Sequence, residues 1–319
     1  MNSLEMNIVN ALGGLRLTLL RCAIAAVLSV FFCGSLHAQK LFLSGGPAVY
    51  EVHPDTDNGK AILKIDWVWK PEESSGLPGK MAEKFMTTDD CKPVSDGKEI
   101  LITSSGGAVA LVLKATRETL FFANVHNAHS AELLPDGLIA AMSSVGAGGD
   151  QLLIYDRKHS DQILTSLPIP SAHGVVWDAG RNILWALGGK ELFRIKVVPN
   201  QEHRVDLVVE HSYPLPSRGG HDLQLALNGS TLYVTTLSEV LTFLPGQEQF
   251  KPFAPLAGVK NVKSFSIQRE TGQLAYTQAS DNVWWTYTVH LRHPDADIPF
   301  DSFLYKLRWD TNAEVAATP

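Results

Sequence analysis

The segments "HSAELLPDGLIAAMSS" (residues 129–144) and "HGVVWDAGRNILWALGG" (residues 173–189) decide the fold. Each begins with a histidine and a short apolar strand, passes through a turn that contains glycine, and returns as a second strand. Short runs rich in β-branched and aliphatic residues, bounded by Gly, Asn and Asp, are typical of antiparallel hairpins. Two copies of one hairpin pattern predict a fold built from repeats.

The pattern recurs along the chain at the spacing of β-propeller blades. Equivalent strands are separated by 38, 45, 49 and 42 residues, and they begin at Ile100, Leu138, Ile183, Leu232 and Leu274. A third strand, such as "QLLIYDR", and a more variable fourth strand, such as "RVDLVVEHSYPL", follow within a repeat. Units of this length with four strands and no helix are typical of propellers. The sequence therefore predicts an all-β fold, a single propeller with six four-stranded antiparallel blades, with seven blades as the alternative.

Two further segments fit this architecture. The stretch "KLFLSGGPAVYEVHP" (residues 40–54) resembles the second and third strands of a blade. The ring is therefore expected to close by mixing N-terminal and C-terminal strands in one sheet. The segment from residue 70 to residue 88, rich in Gly, Pro and charge, predicts a loop or short helix on a rim.

The first 38 residues read as a secretory signal peptide. Arg16 and Arg21 precede an apolar run that ends at the small-residue site "LHA", with Ala38 last. We expect cleavage after Ala38, a propeller domain at residues 39–319, and a periplasmic or secreted protein. The apolar run is too short to span a bilayer as a helix and no later stretch approaches that length, so no stable membrane insertion is expected.

Composition narrows the classes of partner. The formal net charge is −6 and the chain has no run of Lys and Arg, which argues against nucleic acid as a partner. Of three cysteines, only Cys91 lies beyond the signal peptide, so no intramolecular disulfide is expected. We expect a monomer.

Five ionisable residues occupy one position in five successive repeats. Each stands just before the first strand of its repeat, and they are Asp89, His129, His173, His221 and Lys263. Because the first strand of each propeller blade lines the central channel, these side chains are expected to converge at one mouth of it. Ligand sites usually occupy such concave places with a few converging polar groups. His126 has no counterpart in the other repeats and is interpreted as a loop residue.

A structural role is the alternative for these positions. In WD-type propellers a histidine near this loop ties the blade together by hydrogen bonds. That role predicts the same residue type in every repeat and a Trp-Asp pair at the end of the third strand. The position varies between Asp, His and Lys, and "IYD" (residues 154–156) is the nearest approach to such a pair. The pattern favours a functional cluster.

The residue types allow two kinds of chemistry. His129, His173 and His221 with Asp89 could bind one divalent metal ion, with Mn, Zn or Ca as candidates. The same histidines can serve as general acids or bases without metal, with Lys263 or Arg218 neutralising a substrate carboxylate. Elimination from a uronic acid needs that combination, since removal of the C5 proton requires stabilisation of the developing enolate. Asp90 and Lys92, next to Asp89, are further candidates for substrate binding.

Aromatic residues near the C-terminus suggest a sugar ligand. In "DNVWWTYTVHLRHP" (residues 281–294), strand alternation would send Trp285 and Tyr287 to one face and Trp284 to the other. One tryptophan is then expected in the core, and the other is expected to be an exposed stacking platform.

Together, the motifs "NAHSAELLPDG", "SAHGVVWD", "GGHDL", "NVKSFS" and "WWTYTVHLRHP" resemble a family of secreted bacterial β-propellers of unknown function. The resemblance covers the whole chain beyond the signal peptide and implies fold and export. More distantly, the His-lined axis is similar to propeller polysaccharide lyases, including oligogalacturonate lyase, whose site uses several histidines and a divalent metal. We therefore expect a carbohydrate ligand and a lyase or other glycan-cleaving enzyme acting on a uronic-acid-containing glycan. A non-catalytic propeller that binds a glycan or a protein is the alternative.

Overall fold

The computed structural model describes residues 40–202 and 204–310, which form six four-stranded antiparallel sheets. This confirms the all-β class, the six blades and the four strands per blade. The predicted signal peptide, residues 1–38, lies outside the described residues. No helix within the described ranges has the length and apolar character needed to span a membrane.

The four strands of each blade follow one another outward from the central channel, beginning with the innermost strand. Blade 1 contains β24 (Lys306–Trp309), β1 (Leu41–Gly45), β2 (Ala48–Asp57) and β3 (Lys60–Trp69). Blade 2 contains β4 (Thr88–Val94), β5 (Glu99–Ser104), β6 (Ala108–Leu113) and β7 (Glu118–Asn124). Blade 3 contains β8 (Ala128–Leu133), β9 (Leu138–Ser143), β10 (Gln151–Asp156) and β11 (Ile163–Pro168).

The remaining blades follow the same order. Blade 4 contains β12 (Gly174–Asp178), β13 (Ile183–Leu187), β14 (Glu191–Asn200) and β15 (Arg204–Pro214). Blade 5 contains β16 (Asp222–Leu225), β17 (Leu232–Thr235), β18 (Val240–Leu244) and β19 (Gln249–Pro252). Blade 6 contains β20 (Val262–Ile267), β21 (Leu274–Gln278), β22 (Thr286–Arg292) and β23 (Ala296–Leu304).

The ring closes through blade 1, as the N-terminal segment predicts. Strand β24 pairs antiparallel with β1, so the last described strand supplies the innermost strand of the first blade. The innermost strands β4, β8, β12, β16, β20 and β24 contact one another in a closed circle around the axis. Pairing β24 with β1 therefore places the last described strand between blades 6 and 2 and completes the ring.

Apolar residues between neighbouring blades form the core. One buried cluster joins blades 3 and 4 through residues such as Met142, Ile154 and Leu184. Another joins blades 4 and 5 around Trp185 and Phe243. Blade faces are apolar on both sides because each blade is packed between two others, which explains the nearly continuous apolar runs in the second strands.

The segment between blades 1 and 2 forms short helices, as predicted. Two 3₁₀ turns (Pro71–Glu73 and Glu83–Phe85) flank α1 (Gly79–Ala82). Phe85 is fully buried, and its ring lies 5.3 Å from that of Trp69 in an edge-to-face contact. The segment therefore fills the gap between two blades rather than lying loosely on a rim.

Candidate functional site

The five predicted positions meet at one mouth of the central channel. A cavity of about 550 Å³ lies there, at the N-terminal ends of the innermost strands, and Asp89, His129, His173 and His221 line it. Lys263 lies beside it, with its ammonium in contact with His221. The volume falls within the usual range for small-molecule sites, about 300–1,000 Å³.

Local backbone geometry directs these side chains. In four successive blades the residue two positions before the anchor has a positive φ, and these residues are Asn127, Ser171, Gly219 and Asn261. Asn and Gly adopt this left-handed conformation most easily, which accounts for "NAH", "GGH" and "NVK". The register also shifts at Asp89, His129 and Lys263, where a β-bulge turns the side chain of the extra residue.

The histidines contact one another directly. The rings of His129 and His173 are stacked, with centroids 4.4 Å apart and planes inclined by 9°. The ring of His221 lies edge-on to that of His173 at 5.5 Å. His129 Nδ1 lies 3.0 Å from Asp89 Oδ1, although the angle falls outside hydrogen-bond geometry. The other oxygen of Asp89 accepts the backbone N–H of Ser105, which fixes the orientation of the carboxylate.

Neighbouring groups determine the tautomers of the two buried histidines. His173 Nδ1 lies 2.9 Å from the carbonyl oxygen of Ser171, so Nδ1 carries the proton and donates it there. His221 Nε2 lies 3.0 Å from Lys263 Nζ and accepts from the ammonium, so the proton of neutral His221 is on Nδ1. That Nδ1 has no partner among the described residues although it is buried, which leaves one donor available to a ligand.

Burial makes the cluster less basic than free side chains. The pKa of His173 is well below its usual value because of burial and the adjacent His129. Burial and the Lys263 ammonium lower the pKa of His221 in the same way. Burial also lowers the pKa of Lys263 to about 8. At neutral pH the site therefore contains two neutral histidines and a lysine that is still mostly protonated.

The arrangement does not fit a metal ion. No group of three His, Cys, Asp or Glu side chains within the described ranges is placed to hold one. The reason lies in the stacking: the lone pairs of two parallel imidazoles lie in separate parallel planes and do not converge on one point.

A sixth anchor was missed by the sequence analysis. Tyr305, just before β24, lines the same cavity, and its ring lies 5.6 Å from that of His129. Burial and the carboxylate of Asp89 raise its pKa well above the usual value, so its hydroxyl stays protonated. Tyr305 follows Lys263 by 42 residues, the interval that separates Lys263 from His221, and this spacing could have revealed it.

A buried charge network closes the channel beneath the histidines. The guanidinium of Arg308 lies 2.9 Å from Asp90 and 2.6 Å from Asp222. Lys306 Nζ lies 3.4 Å from Asp222 and donates to the backbone carbonyl of His129. Burial disfavours ionisation of Asp90, but Arg308 and Lys306 outweigh it and lower its pKa. Asp90, a candidate for substrate binding, is thus engaged in this network.

Three other candidates lie apart from the cavity. Lys92 is at the opposite mouth of the channel, paired with Glu132 at 2.9 Å. Arg218 is exposed and does not line the cavity. Tyr287 is exposed on β22, also outside it. The expectation that these side chains join the histidines is therefore not met.

The two tryptophans differ from the prediction. The strand begins only at Thr286, so Trp284 and Trp285 lie in the preceding turn and strand alternation does not apply to them. Both are exposed, by 63% and 40%, and both line the cavity. The prediction that one is core is wrong. The ring of Trp284 also covers the Lys263 ammonium at 5.1 Å, a cation–π contact.

Cys91 is fully buried in β4, and burial raises the pKa of its thiol to about 12. A thiol in that state is not a nucleophile at neutral pH.

Comparison with known proteins assigns the chain to a family without assigning an activity. No curated protein shows significant sequence similarity to it. Among solved structures, it is similar to the β-propeller domain of Cps50 (Swd1) from Myceliophteria thermophila, with 13% identity and a TM-score of 0.49 over 85% of this chain and 86% of that one. So low an identity says nothing about shared function. A family model matches residues 55–309, most of the chain. The chain belongs to the family of unknown function DUF6528.

Proposed function

We propose that this protein is an exported carbohydrate-active enzyme, a lyase that cleaves a uronic-acid-containing glycan at the His-lined cavity. One observation carries the proposal. Asp89, three histidines and Tyr305 line one concave surface, and the Lys263 ammonium lies beside it. Elimination next to a carboxylate needs a base, a cation and a proton donor that can contact the same sugar residue. These residue types supply all three.

His129 is the proposed base. It is only partly buried, with 12% of its side chain accessible, whereas His173 and His221 are buried. The carboxylate of Asp89, 3.0 Å from Nδ1, would stabilise the imidazolium formed when His129 takes the C5 proton. His173 and His221, held neutral by burial, would bind sugar hydroxyls.

Lys263 and Tyr305 would handle the charge that develops in the transition state. With a pKa of about 8, Lys263 is mostly protonated at neutral pH and can neutralise the substrate carboxylate. The protonated hydroxyl of Tyr305 would donate to the departing glycosidic oxygen, which separates as the C4–O bond breaks and the C4–C5 double bond forms.

The two exposed tryptophans would hold the sugar rings. Trp284 and Trp285 present apolar faces at the cavity wall. Flat aromatic faces stack on the C–H faces of pyranose rings, which gives affinity without constraining the glycan's hydroxyl pattern.

A panel of uronate-containing oligosaccharides, followed by the ultraviolet absorbance of an unsaturated product, tests the activity. We expect turnover of at least one substrate and a loss of kcat/KM of about 100-fold or more in His129→Gln, the usual contribution of a general base. His126→Gln is the matched control, because His126 is an exposed loop histidine that does not line the cavity, although it contacts the carbonyl of Val145, which does. Equal rates for the two variants would remove His129 from the mechanism.

The alternative is a non-catalytic propeller whose cavity recognises a glycan or a protein. The cavity lined by tryptophan would serve recognition as well as catalysis. Saturable binding of a glycan, without product from any substrate, would support this alternative and overturn the lyase.

Export is a separate proposal: N-terminal sequencing of the protein from the extracytoplasmic fraction should give Gln39 as the first residue.

A further inference from the structure

A second cavity lies at the opposite mouth of the channel. It has a volume of about 360 Å³ and lies at the C-terminal ends of the innermost strands. Arg308 and the network of Asp90, Asp222 and Lys306 separate it from the histidines. It is therefore distinct from the His-lined cavity.

Two buried hydrogen-bond donors on its wall have no partner. Arg308 Nε and Trp309 Nε1 are buried without a hydrogen bond to any described residue, and both residues line this cavity. Each residue is at least nine-tenths buried. Unpaired buried N–H groups are rare in native proteins because losing water without gaining a hydrogen bond destabilises the fold. Two of them on one cavity wall point to an acceptor supplied by a ligand.

The charges of the surrounding residues favour an anionic acceptor. Arg308 and Lys306 are balanced by Asp90 and Asp222, whose carboxylates stay ionised in this network. Lys92 faces Glu132 at 2.9 Å. The unpaired Arg308 Nε belongs to a guanidinium, and a charged donor forms its strongest hydrogen bonds with a carboxylate.

Much of the rest of the wall is apolar. Leu223, Leu225, Phe265 and Ile267 line the cavity, together with polar residues such as Gln224 and Asn228. We propose that the second cavity binds a small carboxylate with an apolar body, which accepts hydrogen bonds from Arg308 and Trp309 and packs against these side chains. Binding there does not depend on the proposed lyase activity.

Calorimetric titration of the purified protein with phenylacetate tests the proposal, with phenylacetamide and acetate as probes that lack the charge or the apolar body. We expect saturable binding of phenylacetate and binding at least about tenfold weaker for both other probes. Trp309→Phe removes the indole N–H together with part of the ring and should weaken binding about tenfold. Trp69→Phe is the matched control, since Trp69 also has a buried, unpaired Nε1 but does not line this cavity. It should change affinity less than about twofold.

A second variant keeps the proposal testable if Trp309→Phe does not fold. Lys92→Met removes the cation on the rim and should also weaken phenylacetate binding about tenfold. Trp284→Ala, at the other mouth, should leave binding unchanged. Absence of saturable binding up to about 10 mM, equal affinity for phenylacetamide, or a loss of binding in Trp284→Ala alone would overturn the proposal.

Discussion

Acid should destabilise this protein in a pH range set by two buried histidines. His173 and His221 are held neutral by burial and by neighbouring cations, so their pKa values in the folded state lie well below the usual value of about 6.5. In the unfolded chain both protonate as the pH falls below about 6.5, while in the folded protein they do not. The unfolded state then binds more protons, and the free energy of unfolding decreases as the pH falls.

The magnitude follows from this linkage. One unit below the unfolded pKa, each histidine that stays neutral lowers the free energy of unfolding by about 1.4 kcal/mol, and the two together by about 2.8 kcal/mol. Glu132, with its raised pKa, acts in the opposite direction, so variants are needed to isolate the histidine contribution. Asp90 and Asp222, with lowered pKa values, affect stability only at lower pH.

Urea unfolding at about pH 7.5 and about pH 5.5 measures the effect. The difference in the free energy of unfolding between the two pH values should fall by about 1.4 kcal/mol in His173→Gln and by a similar amount in His221→Gln. His126→Gln, at an exposed histidine, should keep the difference of the unmodified protein. If both cavity variants keep that difference as well, then His173 and His221 do not remain neutral in the folded protein and the reasoning fails.

Two further predictions concern the channel. Arg308→Met leaves Asp90 and Asp222 buried without their main cation and should lower the free energy of unfolding by about 3–5 kcal/mol. The control Arg218→Met, at an exposed site, should change it by less than about 0.5 kcal/mol in the same urea titration. Cys91, buried with a raised pKa, should react with a thiol reagent only after unfolding. Rapid labelling of the folded protein would contradict its placement in β4.

The architecture could be predicted from the sequence because propeller blades are local. Four consecutive strands pair with their neighbours in the chain, so each hairpin leaves its own signature of apolar runs and glycine turns. The anchors before the innermost strands could be aligned for the same reason. The positive φ two positions before three of them was also readable, because Asn or Gly occupies that position in "NAH", "GGH" and "NVK".

Residues near the seam and beyond the strand ends were harder to predict. Tyr305 belongs to a blade whose other strands lie at the opposite end of the chain, so it fell outside the series of complete repeats. Trp284 and Trp285 precede their strand, and the rule of alternating faces does not extend into a turn. Asp90 and Lys92 follow Asp89 in sequence, but β4 runs along the channel and carries Lys92 to the other mouth.

The sequence by itself determined the repeat, the four strands of each blade, the closure of the ring and the position of the five anchors in their repeats. The choice of six blades over seven came from the structure. Only the tertiary structure decided which charges meet. Arg308 lies between Asp90 and Asp222, residues 218 and 86 positions away, because six innermost strands converge on one axis. Strand periodicity and turn geometry depend on residues that are close in the chain, so they can be recognised in short stretches of sequence. Electrostatic pairing depends on distances between charges that are set only when the ring has closed.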